Sequence, residues 1–486
     1  MNNKKVIINF LWRFAERCGA QLVTFIVSVV LARLLDPEVY GTIALVTVFI
    51  TILNVFIDSG MANALIQKKD ADDLDFSTVF YFNIVVCSLL YLLMFLAAPA
   101  IAGFYEIPSL IPVIRVLSLT LVISGLKNVQ QAYVSRTMQF KRFFFSTLGG
   151  TIGAAIVGII MAYMGMGIWA LVAQQLFNTA VDTLVLWITV RWRPKKMFSL
   201  KRLKELFSYG WKLLVSALLN TIYNNVRQLI IGKLYSSEDL AFFNRGKQFP
   251  NLIITNVNAS IDSVLFPTMS REQDDIVRVK NMTRRAITLS TYIMAPMMIG
   301  LTVCASPLVS LILTDKWLDC VPFMRIICIT CLFYPIHTAN LNAIKAMGRS
   351  DLYLYLEVIK KIVGTILLVA TMWHGVYAMA CSLLAESVIG QIINAWPNRK
   401  LLNYGYIEQL KDILPNIMLA VFMGICIYPA VFLKLPLILM LCIQVSGGAA
   451  VYIAGSVLFR MEAFQYLWSI VHPVIHKLVK RRHMKG

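Results

Sequence analysis

The chain has 486 residues, of which 58% are hydrophobic and only 14% charged. Soluble domains carry about 25% charged residues, so a soluble fold is excluded. The formal charge of +20 would suit a nucleic-acid binder, but the placement of the charge, given below, excludes that partner.

The apolar residues fall in blocks of about 20 to 28, long enough to span a bilayer as helices. About fourteen such blocks are centred near residues 22, 51, 88, 122, 154, 178, 220, 253, 294, 333, 362, 385, 422 and 447. No strand-length alternation appears, which argues against a β-barrel. The predicted fold is therefore an all-α integral membrane protein. The first block carries Arg13, Glu16 and Arg17 and lacks a small-residue cleavage site, so it reads as a retained helix. The nine cysteines are scattered. Cys328 and Cys331 share a helical face inside an apolar block, which their spacing alone explains.

Basic residues alternate with the loops. With the N-terminus inside, 32 of the 45 Lys and Arg fall in cytoplasmic segments. The outer loops hold only Arg33, Lys233, Lys316 and Lys434. This asymmetry places both termini in the cytoplasm. The run RWRPKKMFSLKRLK, Arg191 to Lys204, is expected to touch anionic lipid head groups. Lys360 and Lys361 are expected near a helix end.

The chain also repeats itself. VLARLLDPEVYG (Val30 to Gly41) matches IGKLYSSEDLA (Ile231 to Ala241), and IPVIRVLSLTLV (Ile111 to Val122) matches VPFMRIICITCL (Val321 to Leu332). GIWAL (Gly167 to Leu171) matches GVYAM (Gly375 to Met379). Each half holds six predicted spans, so the halves are parallel repeats around a central cavity. The expected organisation is a six-helix lobe over 1–190, a basic linker over 191–204 and a second six-helix lobe over 205–400. Two further transmembrane helices follow over 401–460, then a basic amphipathic cytoplasmic tail over 461–486 that lies in the interface.

The informative stretch is LLNTIYNNVRQLIIG (Leu218 to Gly232), apolar yet carrying Asn220, Asn224, Arg227 and Gln228 on one helical face. The next helix carries Arg245, Gln248, Asn251, Thr255, Asn258 and Asp262 at helical spacing, with Lys247 beside them. Arg17 on the first helix and Asp58 on the second belong to milder stripes in the first half. An arginine or lysine at the bilayer centre costs about 2.5–3.5 kcal/mol. Five intramembrane acids, Asp58, Asp182, Asp262, Glu357 and Glu386, face nine bases. A hydrated cationic cavity for an anionic substrate is the cheaper explanation than pairing. For Arg115 and Arg325, cavity lining and structural pinning are equally open. Asp58 and Asp262 are the candidate ion-coupling acids, for H+ or Na+. No cofactor, metal or catalytic residue is expected.

VLARLLDPEVYGTIALV, FIDSGMANALIQKK, VLFPTMSREQDD and TDKWLDCVPFMRI resemble the Wzx-type lipopolysaccharide and exopolysaccharide flippases, colanic-acid-type in particular. These belong to the multidrug/oligosaccharidyl-lipid/polysaccharide exporter superfamily. The resemblance implies translocation of an undecaprenyl-pyrophosphate-linked oligosaccharide across the bacterial inner membrane by alternating access. It also implies as partners the lipid-linked oligosaccharide, membrane lipids and the polysaccharide polymerase with its chain-length machinery. NRGKQFP (Asn244 to Pro250) is similar to a helix of lipid II flippases in which an arginine lines the cavity, which carries that role to Arg245. Those relatives also bear an arginine six residues before their Ala-Arg pair, where this chain has Ile26. Arg227 would supply that charge from the second half. The rival readings are a multidrug exporter, disfavoured by the cavity sign, and a polytopic polymerase or ligase, disfavoured by the short outer loops.

Overall fold

The computed structural model describes residues 3–58, 61–433, 435–469 and 472, with the side chains of 3–11, 13–15, 17, 209, 259, 260 and 264 excepted. All regular structure among them is helical. The chain divides into two compact units, Met1–Ala241 and Phe242–Gly486.

The first unit holds α1 (Asn3–Leu34), α2 (Pro37–Asp58), α3 (Met61–Gln67), α4 (Asp73–Tyr105), α5 (Leu110–Leu117), α6 (Leu119–Arg136), α7 (Lys141–Tyr163), α8 (Ile168–Thr189) and α9 (Leu200–Leu234). Helix α10 (Ser237–Arg271) starts in the first unit and continues in the second. Then come α11 (Ile276–Leu313), a short 3-10 stretch at Asp315–Cys320, α12 (Val321–Cys331), α13 (Tyr334–Ala346), α14 (Ser350–Thr371), α15 (Val376–Leu401), α16 (Tyr406–Ile427) and α17 (Leu437–Leu458).

Ten helical stretches are long and apolar enough to cross a membrane, among them Asp73–Tyr105, Ile276–Leu313 and Leu437–Leu458. The protein is a multi-pass membrane protein. Thirteen of the fourteen sequence-derived centres lie in helices, and the one near 333 falls at the joint between α12 and α13. α1, α9, α10 and α14 fall outside the ten. These are helices on which the polar and charged residues concentrate. Lys360 lies in the middle of α14, paired with Glu357 at 2.5 Å, and not near a helix end as expected.

The repeat is written in the joints. Glu106 and Thr314 take positive φ (61° and 84°) at the ends of α4 and α11. Met138 and Gly348 do so after α6 and α13 (52° and 72°), and Gly167 and Gly375 before α8 and α15 (52° and 98°). The Gly of GIWAL and of GVYAM thus matches because each opens a helix from a left-handed turn. Met138 adopts the same turn despite its Cβ, at a cost of about 1–2 kcal/mol.

Local signals set the ends. Asp72 caps α4, accepting from the Asp75 amide at 2.9 Å, while the Asp75 carboxylate accepts from the Asp72 amide at 3.2 Å. The Asp75 amide holds the Asp72 carboxyl below the usual carboxylate range. Asp275 caps α11 through the Arg278 amide at 3.0 Å. One core packs Leu65, Phe76, Val79, Phe80 and Trp192; the other packs Met269, Ile287, Ile336, Tyr404 and Ile413.

The basic run after Arg191 makes contacts with its own chain. Trp192 is buried and donates to Asp73 Oδ1 at 3.1 Å. Lys195 pairs with Asp73 at 2.6 Å, and Arg202 lies 3.8 Å from Asp72. Carboxylates at the N-terminus of α4 answer both this run and the helix dipole. Helix α9, expected to be the first helix of the second repeat, has its contacts with the first. It packs against α2, α3 and α4 and lies within the first unit. The Tyr105 hydroxyl donates to Leu229 O at 3.4 Å, and Lys233 pairs with Glu106 at 2.9 Å. That pair holds the Glu106 carboxyl below its ordinary value.

Candidate functional site: buried arginines on polar helices

Helix α9 carries its stripe as expected, and burial changes along it. Asn220 and Asn224 are exposed, Gln228 is half-buried, and Arg227 is only 9% exposed. Gln228 donates to Asn225 Oδ1 at 3.1 Å, and Asn225 donates back to Thr221 O at 2.8 Å. Helix α10 has the same character. Arg245 is 6% exposed; Lys247, Gln248 and Asn251 are half-buried; Thr255 and Asp262 are exposed.

Arg245 is held from two sides. Its Nη1 donates to Gln248 Oε1 at 2.6 Å, and its Cζ lies 5.1 Å from the Trp317 ring centroid. Trp317 is fully buried. Gly246 makes this possible. A Cβ there would lie 2.7 Å from Phe323 Cβ and 2.8 Å from the Met324 amide nitrogen. Only a residue without a side chain lets α10 ride this close to the start of α12. Cation–π contact is worth about 0.5–2 kcal/mol, and a hydrogen bond to a charged group about 1.5–3 kcal/mol. Together they offset much of the cost of burying the guanidinium.

Sequence reading missed three partners. Asp58 accepts from Asn128 Nδ2 at 3.0 Å, and Asp262 accepts from Asn342 Nδ2 at 2.5 Å. Each acid thus meets a neutral amide of its own unit, at corresponding places in the two halves. The third is Trp317. The only signal for the asparagines was their repeat placement, and the second pair sits about one helical turn off the first.

Arg115 and Arg325 also behave alike. Arg115 donates from Nε to Phe95 O at 3.4 Å and lies 4.3 Å over the Phe95 ring. Arg325 donates from Nε to Thr302 O at 3.3 Å and from Nη2 to Ser306 Oγ at 3.3 Å. Each reaches back to the preceding long helix. Lys127 pairs with Asp182 at 2.9 Å. The side chain of Arg17 and most of the tail after 469 lie outside the described residues. Arg227 belongs to the first unit and Arg245 to the second.

Fold and site together define a polytopic helical membrane protein with buried cations on polar helices. A family model described as "Polysaccharide biosynthesis protein" matches residues 30–322. The chain belongs to that family. It is 24% identical over 410 residues to the teichuronic acid biosynthesis protein TuaB of Bacillus subtilis (strain 168), covering 82% of this chain and 84% of TuaB. It is 23% identical over 367 residues to the lipopolysaccharide biosynthesis protein WzxC of Escherichia coli (strain K12), covering 75% and 74%. Its fold is that of the lipid II flippase MurJ in an inward closed conformation, with TM-score 0.75, 15% identity and coverage of 93% and 99%. An inward-facing MATE family multidrug transporter also shares it, with TM-score 0.60, 15% identity and coverage of 79% and 94%.

Proposed function

We propose that this protein is a flippase for undecaprenyl-pyrophosphate-linked oligosaccharide repeat units, moving them from the cytoplasmic to the outer leaflet of the bacterial inner membrane. The observation that carries the reading is the pair of buried arginines, Arg227 and Arg245, on long polar helices of a polysaccharide biosynthesis family chain. Arginine suits a pyrophosphate because its planar fork donates two hydrogen bonds and stays charged. The sugars and head group cross along the polar faces of α9 and α10, with Asn220, Asn224, Gln228, Gln248, Asn251, Lys247 and Arg17 as further lining. The polyprenyl tail stays in lipid. Helices α1, α9, α10 and α14 complete fourteen spans in two six-helix lobes plus two.

The multidrug-exporter reading shares the fold. Buried arginines repel a cationic drug, which separates the two readings. Proteoliposomes offered a fluorescent lipid-linked sugar and a fluorescent lipophilic cation decide between them. Transport of the cation alone overturns the flippase reading.

The topology has a direct test. Single cysteines near Glu106, Ser236 and Asp315 should react with an impermeant maleimide from outside the cell; those at Lys195, Arg278 and Arg399 should not. Labelling at Lys195 from outside would reverse the orientation.

The driving force follows from charge. A pyrophosphate carries about two negative charges, and each is worth about 2.3 kcal/mol per 100 mV. Outward movement is therefore downhill by about 4–5 kcal/mol at that potential. The positive empty carrier returns inward down the same field. Asp58 and Asp262 are the acids placed to add a proton or sodium ion. In vesicles with potential and pH gradient set separately, flipping should follow the potential. Flipping that ignores it, follows the pH gradient and loses that dependence in Asp262→Asn would overturn the electrophoretic account.

A further inference from the structure

The first turns of α11 carry four bases, and three of them have carboxylate partners. Arg278 pairs with Glu272 at 2.8 Å and with Asp275 at 3.2 Å. Lys280 pairs with Glu408 at 3.1 Å, and Arg284 with Asp412 at 2.9 Å. Arg285 has no carboxylate partner among the described residues. It is exposed, and its guanidinium lies 5.3 Å from the Tyr466 ring centroid.

Arg285 lines a cavity of about 680 Å³ between the start of α11 and the helical residues 462–469. That volume lies in the range of small-ligand sites, about 300–1,000 Å³. Asn281, Thr288 and Gln465 add polar groups to its wall, and Met282, Leu289 and Ala463 an apolar one. Glu462 lines it too. Arg278, Arg284 and Glu272 line the cavity as well, but Arg278 is paired with Glu272 and Arg284 with Asp412. Arg285 and Glu462, which also lies in the field of Arg284, are left without an ion pair within 4 Å among the described residues, beside an apolar wall.

The surroundings are those of a membrane–water boundary. The chain leaves α17 through Arg460, whose φ of 50° turns it into the 462–469 helix. Leu458, Phe459, Tyr466 and Trp468 are all exposed along this segment. Aromatic rings at such a level anchor in the head-group layer.

We propose that this cavity binds the head group of an amine-bearing phospholipid of the phosphatidylethanolamine type. Arg285 takes the phosphodiester, with Asn281 and Gln465 as hydrogen-bond donors. Glu462 takes the primary ammonium, which donates hydrogen bonds that a quaternary ammonium lacks. The first acyl methylenes lie on Met282, Leu289 and Ala463.

The test is native mass spectrometry of the full-length protein released from mixed micelles containing equal phosphatidylethanolamine, phosphatidylcholine and phosphatidylglycerol. Wild type should retain phosphatidylethanolamine several-fold over the other two. Arg285→Ala should lower retention of phosphatidylethanolamine at least about fivefold. Glu462→Gln should abolish the preference over phosphatidylcholine while phosphate binding survives. Arg285→Lys, which keeps the charge, should restore most retention and shows that the site still folds. Equal retention of the three lipids by wild type, preference for phosphatidylglycerol, or unchanged retention in Arg285→Ala overturns the proposal. So does full displacement by soluble glycerophosphoethanolamine, which would make the ligand a free phosphodiester and leave the apolar wall without a role.

Discussion

Replacing Arg227 or Arg245 by Ala should abolish polysaccharide export while the protein still inserts and accumulates. Both guanidinium groups are almost wholly removed from solvent, and a charge-assisted hydrogen bond in such a place is worth about 1.5–3 kcal/mol. Loss of one such contact to the pyrophosphate corresponds to about a tenfold to hundredfold fall in transport. Lys should rescue in part, since it keeps the charge and loses the fork. Trp317→Leu should cost less than Arg245→Ala, because it removes the ring under the guanidinium but leaves Gln248 to hold it. The measurement is flipping rate in proteoliposomes beside surface polysaccharide in cells, each normalised to membrane-inserted protein. Normal export by both Ala variants would dispose of the cationic site. Loss of inserted protein in Arg245→Ala that Lys repairs fully would make Arg245 a structural pin.

A second large effect is expected at Gly41. A Cβ built there overlaps the backbone carbonyl of Ser237, and backbone cannot rotate out of the way as a side chain can. Helix α2 therefore touches the first turn of α10 directly. Gly41→Val should separate the two by more than the packing of a well-filled interior tolerates, costing about 1–3 kcal/mol or more. The expected result is a marked fall in folded protein, read by fluorescence-detected size exclusion after detergent extraction. Gly103→Val, at a position with open space around it, should extract normally. Equal behaviour of the two variants would show that α2 and α10 can part without harm.

The membrane class of this protein was legible because the bilayer fixes its own ruler. Blocks of about 20 apolar residues can be counted on a page, and every centre but the one near 333 fell in a helix. The repeat was legible for a related reason. Positions that demand a left-handed turn, such as Gly167 and Gly375, constrain residue type wherever they recur. The polar stripes were legible because helical spacing puts Asn220, Asn224, Arg227 and Gln228 on one face whatever surrounds them.

What the stripes meet was decided by tertiary packing alone. Within a membrane, helices are not sorted by hydrophobicity, since lipid is as apolar as leucine; close fit and a few hydrogen bonds choose the neighbours. That choice seats α9 on α2, α3 and α4, so Arg227 belongs to the first unit although its helix repeats the one that opens the first half. It puts Trp317 under Arg245 across the gap that Gly246 leaves. It also gives Asp58 and Asp262 the amides of Asn128 and Asn342, and the basic run the carboxylates of α4. None of these partners lies within one helical turn of the residue it answers, so no local pattern could have named it.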